Sequence, residues 1–163
     1  MSTTGDPRGS APTGVSAVLA LVIGVVGFAA LSILGLGMLT FFTDSDILTV
    51  PGVDWWPGIV GMVVAVGAFA WMLWPALAQD RAPFTAVIPV ALVAAVVHLV
   101  AVGLGALLSG GGATAALSAA SQLVTHGSSP VVLLAALVAS WAAIALRRTG
   151  SRAPRWPWED DSE

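Results

Sequence analysis

The chain has 163 residues, of which 57% are hydrophobic and only 9% are charged, and its formal net charge is −3. Because a soluble domain carries roughly 25% charged residues, this composition excludes a soluble globule and predicts an integral membrane protein. The lack of cysteine excludes disulfide frameworks and thiolate metal sites, and the acidic balance argues against nucleic acid as a partner.

The first 16 residues are polar and rich in glycine and proline, so we expect a disordered cytoplasmic tail over 1–16. An uncharged apolar stretch follows over 17–42. As a helix it would measure about 39 Å, which exceeds the ~30 Å hydrocarbon core of a bilayer. The apolar region of a signal peptide is shorter and ends in a small-residue cleavage site, which is lacking here. We therefore expect an uncleaved first span.

Three further apolar stretches cover about 57–78, 86–108 and 130–146. Pro57 suits the first position of a helix, where its missing N–H costs nothing. Each stretch carries alanine or glycine at helical spacing, which permits close packing of helices in lipid. The sequence therefore predicts an all-α fold. We expect a four-helix transmembrane bundle over 17–146, a disordered polar tail before it and a charged cytoplasmic tail over 147–163.

Two connections between the predicted spans carry open interpretations. The first is acidic and aromatic, and we expect it to be either a solvated loop anchored by tryptophan or a contact for a ligand or partner. Its candidate contact residues are Asp44, Asp46, Asp54, Trp55 and Trp56. These carboxylates are too few for a calcium site, which takes about 6–8 oxygen ligands. The second connection, 109–129, is either flexible or forms a short interfacial helix over 113–125 with Leu117 and Val124 on one side.

The arginines predict the orientation of the chain. With four spans, all six lie on the side of the termini: Arg8, Arg81, Arg147, Arg148, Arg152 and Arg155. The positive-inside rule then places both termini in the cytoplasm, with Arg81, Arg147 and Arg148 as topology anchors. Arginines near the surface also attract anionic lipid, by ~1 kcal/mol each. Because acidic residues close to the C-terminus offset this attraction, anchoring is the preferred interpretation.

His98 is the only ionisable residue inside a predicted span, and it lies near the middle of the third. Ionisable residues at that depth are functional hypotheses by default. A neutral imidazole can relay a proton, ligate a metal, or form a hydrogen bond to a facing helix, with Ser32 or Ser140 as its partner; the last interpretation is preferred. The other histidine, His126, falls in a predicted outer loop. We therefore expect no intramolecular bis-histidine haem site, and we predict no cofactor.

Three segments carry a resemblance to known proteins: Thr43-Asp44-Ser45-Asp46-Ile47, the Val50-Pro51 break, and Arg155-Trp156-Pro157-Trp158-Glu159-Asp160. With them the chain resembles the small four-span membrane proteins of unknown function from high-GC Gram-positive (actinobacterial) bacteria. The resemblance implies a location in the bacterial cell membrane. It implies no activity.

The sequence contains no P-loop and no G-x-S-x-G, H-E-x-x-H or G-x-G-x-x-G motif. We therefore expect a protein that is not an enzyme, and specifically an accessory or structural subunit that packs in the lipid bilayer against a larger membrane protein. The alternative is a small homo-oligomeric channel or transporter in which His98 lines a polar path. An enzyme acting on lipid is a third hypothesis, and it lacks an identifiable nucleophile or acid–base pair.

Overall fold

The computed structural model describes residues 15–43, 56–79, 82–125 and 127–149, and within these ranges the chain is helical and has no strand. Its helices are α1 (Ala17–Thr43), α2 (Trp56–Leu77), α3 (Val87–Ala106), α4 (Gly112–Thr125) and α5 (Ser128–Arg148). Helices α1, α2 and α5, together with the stretch Phe84–Gly110 that contains α3, are long and apolar enough to cross a membrane. The predicted all-α, four-span architecture is confirmed, and the chain is a multi-pass membrane protein. Most of the two predicted tails lies outside the described residues.

The four long helices form a ring in the order α1, α2, α3, α5. The most extensive contacts join α2 to α3, α1 to α5 and α3 to α5, whereas α1 and α2 contact each other less. Helix α1 buries a single line of residues spaced four apart: Ala20, Gly24, Phe28 and Ser32. Residues at this spacing share one face of a helix, so the remaining faces of α1 are left for lipid.

Glycines allow neighbouring helices to approach until their backbones nearly touch. A Cβ atom at Gly105 would lie 2.7 Å from Cβ of Pro57, and one at Gly61 would lie 2.5 Å from Cγ2 of Val102. At Gly24 it would lie 2.9 Å from Cβ of an alanine on α5. Close approach of small residues holds helices together in lipid, where burial of apolar surface supplies no driving force. The tight bundle predicted from the small-residue spacing is therefore observed.

The largest buried side chains meet between α1 and α2. The rings of Phe28 and Phe69 are stacked, with centroids 4.6 Å apart and an interplanar angle of 18°, and both side chains are fully buried. Helix α5 faces this core with small residues: Ala135, Ala136, Ala139, Ser140 and Ala143. Large side chains on one side are thus matched by small ones on the other, which fills the core without widening the bundle.

The connection between α3 and α5 is helical. A wide turn over Leu107–Gly111 contains Gly110 at φ +88°, and Gly112 follows at φ +69°; glycine adopts such angles without steric cost. Helix α4 packs against α3 and α5 and buries Ala115, Ala119 and Leu123, while Leu117 and Val124 are exposed. The helix expected over this segment is confirmed, and its location at the membrane interface stays a prediction.

Candidate functional site

His98 lies inside the bundle at mid-depth. It occupies the middle of the stretch Phe84–Gly110 and is only 4% exposed. Its backbone carbonyl lies 3.5 Å from the position that a Cβ atom of Gly61 would take on α2. Because the residue faces the interior of its own bundle, it is not placed to line a path between copies of the chain, and the channel interpretation gains no support from its position.

Ser32 lies at the same depth on α1. Gly24 on α1 lies beside Leu73 on α2. Because α1 and α2 run in opposite directions, eight residues forward from Gly24 and eight residues back from Leu73 reach the same depth, so Ser32 lies level with Ala65. Gly61 contacts Val102 and the carbonyl of His98, so one turn further along α2 Ala65 is also level with His98. We call Ser32, Ala65 and His98 the His98 layer.

Both polar side chains of the His98 layer are buried. Among the described residues, Nδ1 of His98 and Oγ of Ser32 have no hydrogen-bond partner. The hydroxyl of Ser140 donates instead to the carbonyl of Ala136, 2.7 Å away on its own helix, a bond that serine readily forms one turn back. The expected hydrogen bond between the imidazole of His98 and Ser32 or Ser140 is not found among the described residues.

The chemical capacity of the His98 layer is small. Over the described ranges, the only other ionisable side chains are Arg147 and Arg148, and they lie at the end of α5. No three histidine, aspartate or glutamate side chains come together within the part of the chain that the structure describes. One imidazole and one hydroxyl supply neither the ligand set of a structural zinc site, which is almost always four-coordinate, nor a pair of groups for general acid–base catalysis.

The other residues singled out from the sequence are only partly described. Trp56 is the first residue of α2 and is half-buried. The other four candidate residues of the first connection lie outside the described residues: Asp44, Asp46, Asp54 and Trp55. The expected topology anchor Arg81 and the second histidine, His126, also lie outside them. The proposed outer-loop contact therefore stays a prediction.

Arg147 makes contacts between helices that the sequence did not reveal. Its Nε donates to the carbonyl of Leu77 at 3.1 Å, and its Nη1 donates to the carbonyl of Val15 at 3.3 Å. One guanidinium thus joins the end of α5 to the end of α2 and to the segment before α1. The sequence feature that could have predicted these contacts is the position of Arg147 in the last turn of α5, because arginines near the C-terminus of a helix often form hydrogen bonds to terminal carbonyls. Arg148 lies over the ring of Phe84, 4.8 Å from its centroid.

Replacing the unpaired groups of the His98 layer should not weaken the fold. We expect His98→Leu and Ser32→Ala to leave the melting temperature in mild detergent unchanged or to raise it, because neither side chain has a hydrogen bond in the bundle to lose, whereas in separated helices such polar groups can find partners. His98→Ala is the control, since it removes volume as well as polarity. Tryptophan fluorescence during heating measures all three variants. A clear loss of stability in His98→Leu would show that the imidazole has a partner.

The comparisons with known proteins identify a family. Residues 12–163 match the model of the Family of unknown function (DUF6121), and the chain belongs to that family. No curated protein and no solved structure matches it. The predicted resemblance to proteins of unknown function is thereby confirmed, and the family carries no activity over to this chain.

Proposed function

We propose that this member of the Family of unknown function (DUF6121) is a non-enzymatic accessory or structural subunit of the bacterial cell membrane, of actinobacterial origin, that packs against a larger membrane protein. Its four apolar helices and its family membership support the membrane assignment. Its arginine-only basic residues and its abundance of alanine, valine and glycine are typical of a GC-rich bacterial genome.

The observation that carries the proposal is the close packing of neighbouring helices in the bundle. At Gly24, Gly61 and Gly105 there is no room even for a methyl group without displacement of a neighbour. Substrate transport needs a path, and catalysis needs polar groups at a cleft. The described interior instead holds stacked aromatic rings, small residues and the sparse His98 layer. These features favour a role exerted through the outer surface of the bundle.

The outer surface offers places where a partner helix can approach closely. A Cβ atom built on Gly37, Gly67 or Gly103 meets no atom within 4 Å, so these glycines point away from their own bundle. In lipid, helices associate through close packing at such small residues. A larger side chain at these positions would not disturb the fold of the chain itself, which makes them suitable probes of a partner's position.

The proposed orientation has both termini in the cytoplasm. It rests on the positive-inside rule, since by sequence all six arginines fall before the first span, between the second and third spans, or after the apolar part of the last. The described part contributes Arg147 and Arg148, which follow directly on the last apolar residues of α5. A topology reporter fused after Glu163 should be active in the cytoplasm; activity only outside the cytoplasm would overturn the orientation.

Affinity purification from native membranes tests the subunit hypothesis. In mild detergent, with mass spectrometry and native sizing, we expect a stoichiometric complex with a different and larger membrane protein. We further expect that Gly37→Leu, Gly67→Leu or Gly103→Leu releases this partner while the melting temperature of the chain stays unchanged or rises. A chain that purifies as a monomer, or only as a homo-oligomer, would overturn the proposal.

A further inference from the structure

We infer that Arg147 and Arg148 form a binding site for the phosphate of an anionic phospholipid headgroup. The site lies at what we call the arginine end of the bundle, where α1 begins, α2 and α5 end, and the turn Phe84–Ala86 leads into α3. None of the residues on which the subunit hypothesis rests contributes to it, so the two proposals stand independently of each other.

The guanidinium of Arg147 is held in place by two hydrogen bonds and has further N–H donors that these bonds do not use. Its two hydrogen bonds, to Leu77 and Val15, use Nε and one hydrogen of Nη1. A guanidinium has five N–H donors, so the second hydrogen of Nη1 and both hydrogens of Nη2 remain. Within the described ranges no acceptor takes the Nη2 group, and the side chain is half-buried. The free edge of this group is therefore fixed relative to the bundle.

The guanidinium of Arg148 is held by a different contact. It lies 4.8 Å from the centroid of the Phe84 ring, and such an arrangement leaves the N–H groups at the edge of the guanidinium available for an anion. Arg148 is itself exposed. Two neighbouring arginines are thus restrained separately, one by carbonyl groups and one by an aromatic ring.

Restraint and chemistry together favour a phosphate. Arginine binds phosphate oxygens through two parallel hydrogen bonds, which fit its planar fork. A side chain that is already ordered also loses less conformational entropy when it binds, which is worth about 0.5–1.5 kcal/mol for each long side chain. Arg147 and Arg148 each carry such an ordered guanidinium at the same end of α5, and each can donate to the phosphate oxygens of a lipid that reaches this end.

The depth of the site identifies the source of the phosphate as lipid. Arg147 and Arg148 come directly after the apolar part of α5, so they leave the hydrocarbon at the level of the headgroups. Trp71 and Trp74 are exposed in the last two turns of α2, at the same end of the bundle. Tryptophan is enriched at the membrane–water interface. The nearest phosphates to these arginines are therefore those of the surrounding phospholipids.

Native mass spectrometry of the full chain tests this site. The protein is released from mixed micelles that contain equal amounts of phosphatidylglycerol and phosphatidylcholine. We expect retention of phosphatidylglycerol, and a loss of retention of about fivefold in Arg148→Gln, which corresponds to ~1 kcal/mol per arginine near the membrane surface. Arg155→Gln is the matched control, because it removes the same charge from the tail, and it should reduce retention less than twofold.

Three results would overturn the inference. Equal retention of both lipids by the unaltered protein would show that the site does not select an anionic headgroup. An equal loss in Arg155→Gln and Arg148→Gln would show diffuse attraction rather than a built site. Displacement of the lipid by millimolar inorganic phosphate would show a general anion site. Arg147→Gln also removes two structural hydrogen bonds. Its retention of phosphatidylglycerol is therefore compared with that of Arg147→Lys, and the melting temperature is recorded for both variants.

Discussion

Phe69→Ala should lower the free energy of unfolding by about 2–4 kcal/mol, toward the lower part of the range for truncation of a buried phenylalanine. Phe69 is fully buried and stacked on Phe28 across the α1–α2 contact. In a membrane the separated helices still expose the ring to acyl chains, so the transfer from water contributes little. The remaining cost comes from the cavity and from the lost dispersion and stacking contacts with Phe28.

Reversible unfolding in mixed micelles measures this effect. Phe41→Ala is the matched control, because Phe41 is 79% exposed near the end of α1 and its truncation should change the free energy of unfolding by less than about 0.5 kcal/mol, as for most surface substitutions. The double variant of Phe28 and Phe69 should cost less than the sum of the single ones, since both remove the same contact. Equal effects at positions 41 and 69 would contradict the stacked core.

Gly105→Ala should destabilise the bundle by about 1–3 kcal/mol, the usual cost of overpacking a well-packed core. The new Cβ would lie 2.7 Å from Cβ and 3.1 Å from Cα of Pro57. Neither atom belongs to a flexible side chain, and the ring of proline restricts its backbone. The strain is therefore relieved only if the start of α2 moves away from α3.

Gly103→Ala separates this packing effect from helix propensity. Gly103 lies on the same helix, two residues earlier, and a Cβ atom there meets nothing within 4 Å. Because alanine is favoured over glycine in a helix by about 0.8–1.0 kcal/mol, this control should be neutral or stabilising. Thermal unfolding of both variants in the same detergent decides the point. A Gly105→Ala protein as stable as Gly103→Ala would show that the α2–α3 contact tolerates a methyl group.

Spans and fold class were predictable because the bilayer imposes them. A segment that crosses the hydrocarbon must be apolar, about 20 residues long and helical, so composition along the chain is sufficient to find it. The predicted ends of the spans were less accurate than the spans themselves. The last span was expected over 130–146 and is observed over Ser128–Arg148, because serines at its start and arginines at its end interrupt an apolar pattern without interrupting a helix. The segment of α4 was left open for a similar reason, since its apolar residues are few.

For the candidate site, the sequence predicted the central residue but not the side chains around it. His98 was identified because an ionisable side chain at mid-span is conspicuous in any apolar sequence. Its surroundings were not, because they depend on the register between helices, which is set by the contacts of Gly24 and Gly61. That register places Ser32 in the His98 layer. The hydroxyl of Ser140 donates to the carbonyl of Ala136 on its own helix.

By itself the sequence determined that the chain crosses a membrane, where its spans lie, and which ionisable residues it carries there. Only the tertiary structure decided which small residues face inward: Gly105 touches Pro57, while Gly103 points into open space. Likewise, only the structure showed that Arg147 joins α5 to α2 and to the start of α1. The physical reason is that membrane insertion responds to the character of each segment by itself. The packing of inserted helices depends instead on contacts between atoms that are far apart along the chain.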